Sequence, residues 1–404
     1  MRAMTLRHLM LAGLLLLLPW GATAASPDPQ MNRQMNRQMI CDLVAEAAGS
    51  GNAETTSVWP GGTANIRLRP APSNWRFALI ELANSNAVPL MQIRALPPCH
   101  VTEARRLVRD GGGSPTDIEI LGPDLASVTA RQAVNPPVPP LDAGDGTALL
   151  AHIDTGVNYL LPEIASHLAT DGDGQLLGYD FWDDDARPFD TDPRRNVFFP
   201  MHHGTTTFSL LAREAGGIPI AIYRFPADDL CRFKALINHM AGLSVRVVSL
   251  SMGSSDRDEW ACFEEAARQQ PHMLFIVSAG NDGRDIDQMP VYPAALPLDN
   301  LVTVTSSDDF GRLGRGSNSG GQSVDFMVPA ERVEVIDHSG ARADTGGTSY
   351  AAPRLAALAA RYLAATPDAD TPAILSFLKR RARPASDVAL KFGWIPDPSD
   401  NFGF

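Results

Sequence analysis

Past residue 24 the chain has no long apolar run, which argues against a second membrane-crossing segment and for a soluble exported protein. It lacks any basic excess: 34 Lys and Arg stand against 46 Asp and Glu, a formal charge of −12, so the electrostatics disfavour a nucleic-acid partner. The imbalance is uneven. Residues 25–140 hold about as many arginines as acids, and the acidic excess lies beyond them, where it serves solubility or favours basic peptides. Asp309-Phe-Gly311 has no Gly-rich loop or catalytic-loop motif to accompany it, so it reads as a turn. The Asp171–Asp192 stretch holds eight aspartates but lacks the acid at position five and the glutamate at position twelve of an EF-hand loop. It reads as a solvated acidic loop in which Asp171 and Asp173 are candidate calcium ligands, calcium being an optional ion and no cofactor being required.

What is present begins at the N-terminus. Arg2 and Arg7 precede an apolar run from Leu9 to Leu18, and Ala22-Thr23-Ala24 supplies a small-x-small cleavage pattern. Residues 1–24 are therefore read as a signal peptide, and the expected location is secreted or periplasmic. The apolar run is short for a stable membrane anchor, and no cysteine at the cleavage point offers a lipid attachment site. Export permits disulfides, and the four cysteines allow three pairings. Cys41 with Cys99 and Cys231 with Cys262 keeps each pair within one unit, and the second pair lies at the starts of two helices flanking one strand. Free buried thiols are the alternative.

A tandem Met31-Asn-Arg-Gln34, Met35-Asn-Arg-Gln38 reads as a disordered slippage tract. Residues 74–121 read as a small α+β unit: strands at Trp75–Leu82 and Val88–Leu96, a helix at Val101–Arg109 and a strand at Ile118–Leu121. Asn135-Pro-Pro-Val-Pro-Pro140 follows as a stiff linker. Residues 25–140 thus form a propeptide or a retained accessory region ahead of a domain at 141–404. That domain alternates strands (148–153, 218–223, 245–250, 273–278, 301–305, 324–328) with helices (204–214, 229–241, 258–269, 349–364, 371–382). Alternation of this kind predicts an α/β fold, a mostly parallel sheet covered by helices on both faces.

Four motifs carry chemistry in this domain. Asp154-Thr-Gly156 ends an apolar strand, His203-Gly-Thr205 opens a helix, Ala279-Gly-Asn281 follows another strand, and Gly347-Thr-Ser349-Tyr-Ala-Ala-Pro353 opens an alanine-rich helix. A serine hydroxyl needs a base to take its proton and fixed donors for the oxyanion, and these residue types supply both. The order Asp, His, Ser differs from that of chymotrypsin and of the α/β-hydrolases, whose G-x-S-x-G elbow is absent here. Across residues 145–382 the chain resembles the subtilisin-like serine peptidases. The resemblance implies Ser349 as nucleophile, His203 as general base and acid, Asp154 as the residue orienting it and Asn281 as oxyanion donor. It also implies a cleft in which Ser251-Met252-Gly253 and Ser278-Ala279-Gly280 meet an extended substrate.

The departures from the family pattern are specific. His202 stands where glycine is usual, Thr206-Thr207 replaces His-Val, Gly316-Ser-Asn318 lacks an aromatic, Ala330 replaces glycine, Tyr350 replaces methionine and Arg354 replaces histidine. The expected activity is that of an exported serine endopeptidase working through an acyl-enzyme on peptide or protein substrates. A weakly catalytic peptide-binding protein and an esterase with the same triad are the rivals; oligomeric state has no signal in the sequence.

Overall fold

In the computed structural model, residues 36–71, 74–225 and 228–404 are described, so the leader reading at 1–24 and most of the tandem tract lie outside the described residues. The tandem's last residues are not disordered. Asn36 caps helix α1 (Arg37–Ser50), its side chain accepting from Met39 N at 2.9 Å, because Asn at this position satisfies an otherwise orphaned donor. α1 lays Ile40, Leu43, Val44 and Ala47 on one face of a seven-stranded antiparallel sheet. Its strands run in sequence order: β1 (Glu54–Trp59), β2 (Gly62–Ala71), β3 (Asn74–Asn84), β4 (Pro89–Leu96), β5 (His100–Arg109), β6 (Pro115–Leu121) and β7 (Val128–Ala133). Alternation places Ala64 and Ile66, Ala78 and Ile80, and Met91 and Ile93 in the core beneath α1.

The expected helix at Val101–Arg109 is strand β5. Its Glu-Ala-Arg-Arg-Leu run favours a helix locally, but the short Pro97–Cys99 turn from β4 and pairing with both β4 and β6 override that preference. Cys99, at this turn, is bonded to Cys41 on α1, closing the unit.

The larger unit follows the expected alternation closely. Its eight-stranded sheet has the order β17-β14-β13-β12-β11-β8-β10-β9, every neighbouring pair being parallel. The strands are β8 (Leu150–Asp154), β9 (Gly178–Asp180), β10 (Ile220–Arg224), β11 (Val247–Leu250), β12 (Leu274–Ser278), β13 (Leu301–Ser307), β14 (Phe326–Pro329) and β17 (Gly393–Trp394). Two large apolar clusters pack on its two faces, as a sheet buried on both sides requires. A short α2 (Pro162–Ala165), α3 (Gly204–Glu214), α6 (Thr348–Ala365) and α7 (Thr371–Arg381) belong to one face; α4 (Phe233–Gly242) and α5 (Ala261–Arg268) belong to the other. Cys231 and Cys262, at the heads of α4 and α5, are bonded. A small antiparallel hairpin, β15 (Val333–Ile336) and β16 (Arg342–Thr345), completes the unit.

The proline-rich 135–140 stretch is not a free linker. Pro136 O accepts from Tyr159 OH at 2.6 Å, Asn135 Nδ2 donates to Asp185, and Thr170 Oγ1 donates to Asp142 O. These bonds stitch the segment along the larger unit.

Candidate active site

β8 ends at Asp154, which is buried with only 3% of its surface exposed. α3 begins directly beside it, and the approach depends on Gly204: a Cβ there would stand 2.0 Å from Gly156 O. His203, at the N-cap of α3, therefore reaches the carboxylate, with Nδ1 at 2.7 Å from Oδ1 and 2.9 Å from Oδ2. Thr155 N–H donates to Oδ1 at 2.8 Å and Thr207 Oγ1 to Oδ2 at 3.1 Å. Burial alone would raise the Asp154 carboxyl, but the His203 charge and hydrogen bond outweigh it and hold it below the usual range. For His203 burial works downward and the Asp154 charge upward; the charge prevails and lifts the imidazole to about 9.

A second aspartate sets this geometry. Asp190, fully buried, accepts from Thr155 Oγ1 at 2.6 Å and from Thr205 N and Oγ1 at 2.9 and 2.6 Å. Thr155 Oγ1 in turn accepts from Gly204 N at 2.8 Å. The acidic loop is thus not wholly solvated: Asp180, Asp190 and Asp192 are all buried. Asp180 pairs with the buried Arg224 at 2.7 Å, yet burial outweighs that cation and raises its carboxyl to about 6. The sequence marks these three only as acids in an acidic run; their burial is a tertiary property.

Ser349 is the second residue of α6, where a backbone N–H has no intrahelical acceptor. Gly347 turns the chain into the helix at φ +123°, a conformation that favours glycine. Among the described residues Ser349 Oγ forms no hydrogen bond, while Ser349 O accepts from Ser251 Oγ at 3.0 Å. Asn281 Oδ1 accepts from both Thr348 N and Thr348 Oγ1 at 3.0 Å. A backbone N–H can only donate, so the amide's orientation is fixed and its NH₂ end is left for another acceptor. Asn318, in the stretch lacking an aromatic, holds this loop from beneath: its amide donates to Ala279 O and accepts from Asp282 N and Arg284 N.

A cleft of about 320 Å³ is lined by Asp154, His203 and Ser251-Met252-Gly253, together with Arg194, Met201, Leu230 and Trp260. Ser278 and Ala279 are buried at the end of β12, and Gly280 is half-buried with its N–H donating to Thr348 Oγ1 and its carbonyl accepting from Asn318 N. These three residues lead directly into Asn281 and are not among those lining that cleft.

Four departures from the family pattern touch one another or find partners. Tyr350, buried, places its hydroxyl 3.2 Å from Thr206 Oγ1. Arg354 pairs with Glu214 at 2.8 Å and donates to Pro329 O. His202 turns away from Asp154: Nδ1 lies 2.6 Å from Asp190 O, Nε2 3.0 Å from Gln132 Nε2 on β7, and its ring stacks on His338 at 3.5 Å.

Asp171, the candidate calcium ligand, accepts from Asp173 N and Gln175 N within its own turn. Among the described residues, the ligand atoms gathered closely enough to share an ion belong instead to Asp190, His202 and His338. Both ring nitrogens of His202 have partners there, as do both Asp190 oxygens, whereas the buried His338 Nδ1 lies 3.8 Å from Asp190 Oδ2 with no hydrogen-bond partner.

Compared with known proteins, residues 145–394 match the model of the subtilase family, peptidase S8. The chain is 25% identical over 241 residues to a halolysin-like extracellular serine protease, Nep, of Natrialba magadii, a match spanning 55% of this chain and 41% of that protein. The chain thus matches less than half of that relative's length. Among solved structures, a lanthipeptide protease superposes with TM-score 0.52 at 21% identity, over 63% of this chain and 86% of that one. A cold adapted subtilisin-like serine proteinase superposes with TM-score 0.50 at 24% identity, over 63% and 90%. Both likenesses are of fold, and no helix among the described residues is long and apolar enough to cross a membrane.

Proposed function

Because this chain belongs to the subtilase family and is a serine peptidase, we propose that Asp154, His203 and Ser349 are its catalytic triad in an exported endopeptidase. The observation that carries this reading is the two-point contact of His203 Nδ1 with a buried Asp154, at the mouth of a cleft that also contains the Ser251–Gly253 edge. In the proposed cycle His203 Nε2 takes the Ser349 Oγ proton as the oxygen attacks the scissile carbonyl. Asp154 holds Nδ1 protonated and stabilises the imidazolium. The carbonyl oxygen, now an anion, accepts from Asn281 Nδ2 and from the Ser349 N–H at the open end of α6. Collapse releases the amine, which receives the proton from His203, and water then cleaves the acyl-enzyme by the same route. The hydrogen bond between Ser349 and His203 is expected to form as substrate seats, since such bonds are often long in a free enzyme.

Export is supported by the leader-like N-terminus, by two disulfides and by the extracellular relative. A fluorophosphonate probe tests the triad directly. Wild type should label and cleave a denatured protein substrate, whereas Ser349→Ala and His203→Ala should do neither. His202→Ala should keep most of the activity; the reverse pattern for the two histidines would overturn the assignment.

A further inference from the structure

β8 reads as Leu150-Ala-His-Ile-Asp154, an apolar strand interrupted by one imidazole. His152 is completely buried, in register between Ile222 of β10 and Ser249 of β11, with the edge of Phe208 against its ring. Its Nε2 lies 3.2 Å from Thr207 Oγ1 and 4.0 Å from Asp154 Oδ2, while its Nδ1 has no partner. Thr207 Oγ1 lies between the two groups, 3.1 Å from that same Asp154 oxygen.

The proton positions follow from counting donors. Thr207 has one hydroxyl proton, and Gly204 O at 3.1 Å and His203 O at 3.4 Å are also within its reach, but the Asp154 carboxylate is the strongest acceptor of the three. If that proton pointed at His152, the anionic Asp154 would lose a donor and His152 would bury an unpartnered N–H. If it points at Asp154, His152 Nε2–H donates to Thr207 and only a bare Nδ1 lone pair is left over, the less costly outcome. A strand position flanked by Ala151 and Ile153 is filled at lower cost by an aliphatic side chain, so an imidazole with an unmatched nitrogen implies a role beyond packing.

The geometry points to His152 as a positioning residue for the triad: a second imidazole that shares Asp154 with His203 and donates to its carboxylate through Thr207. The inference rests on the triad reading above. Burial lowers the basicity of His152 more than Asp154 raises it, so His152 acts as a neutral donor; the charged or titratable groups whose fields reach it are Asp154, His203 and Asp190. By taking part of the Oδ2 negative charge, the chain His152–Thr207–Asp154 moderates the basicity that Asp154 confers on His203 and fixes the carboxylate's tilt. No proton is transferred along it.

The test compares His152→Val, Thr207→Val, the double variant and His152→Gln with wild type, in kcat, KM and the pH profile of kcat/KM, after counting competent sites with fluorophosphonate. Each single valine change should lower kcat about tenfold with KM unchanged and move the acid limb to higher pH. In the Thr207→Val background, His152→Val should add nothing, and His152→Gln, which retains an N–H donor, should keep most of the activity. A wild type that labels and cleaves, with both valine variants unchanged in kcat and profile, overturns the inference alone. So does a strictly additive double variant, which would mean that the two residues act separately. A wild type that neither labels nor cleaves overturns the triad reading, and the inference with it. Should His152→Val fail to fold, Thr207→Val and His152→Gln still decide, because an unchanged Thr207→Val profile removes the bridge.

Discussion

At the scale of single residues, the site's chemistry depends on where each proton sits. In the proposed cycle His203 must be neutral to accept the serine proton, and its imidazole is raised to about 9 by Asp154. kcat/KM in the free enzyme should therefore fall about tenfold for each pH unit below that value, and a profile already flat from pH 7 upward would contradict it. Asn281 presents its NH₂ because Thr348 holds its oxygen; Asn281→Ala should lower kcat by about 10²–10³ with little change in KM, the magnitude of the subtilisin case from which it comes. Tyr350 cannot be oxidised to a sulfoxide as a methionine can, so activity should survive dilute peroxide and Tyr350→Met should make it sensitive. Met252 and Met201 line the cleft, and rapid loss in wild type, rescued by Met252→Leu, would move the vulnerable point there. The positions proposed for the triad and for Asn281 could be picked out because each follows a strand end or opens a helix, and the fold brings His203 to Asp154 while turning His202 away. His152, Asp190 and Asn318 were not legible, because their contacts reach across 35 to 55 positions of sequence. The lone imidazole in an apolar strand was the available signal. The departures were visible singly, but that Thr206 meets Tyr350 across 144 positions is visible only in the fold.

At the scale of elements, the six inner parallel strands were readable as uninterrupted apolar runs, since burial on both faces removes the alternation that would otherwise mark a strand, whereas the edge strands β9 and β17, three and two residues long, left no such run. The antiparallel unit was harder. β1, β2 and β7 carry enough charged and polar residues on one face to pass for loop, and β5 imitates a helix until its two neighbours are known. The cysteine pairing was legible because helix starts on one side of a sheet come close together. The Cys231–Cys262 bond closes a loop of 31 residues, which in the chain-entropy account contributes about 3–4 kcal/mol. Replacing both cysteines with serine should lower the thermal midpoint by several degrees while leaving kcat within about twofold, as measured by calorimetry and peptide hydrolysis. A large loss of kcat instead would show that the heads of α4 and α5 shape the cleft directly.

At the scale of the whole molecule, the two units meet at the segment that delivers His203. Phe198 is buried with Leu107 of β5 and Ile118 of β6, Arg105 lies 3.8 Å over the Phe199 ring, and Gln132 meets His202. Two residues beyond Phe199 the same segment contributes Met201 to the cleft, so the N-terminal sheet and His203 share one stretch of chain. Consider then a peptide bond broken between residues 137 and 146, by this enzyme or another. The halves would remain joined through the bonds of Asn135, Tyr159 and Arg187 and the apolar contact at Phe198. A nick there should give two bands on a denaturing gel but a single particle of undiminished size in gel filtration, and Ser349→Ala should prevent it if the cut is self-inflicted. Breaking the chain and losing the N-terminal sheet would thus be separate events, and the second would need its own cause: a competing surface, a denaturant, or digestion of the freed sheet.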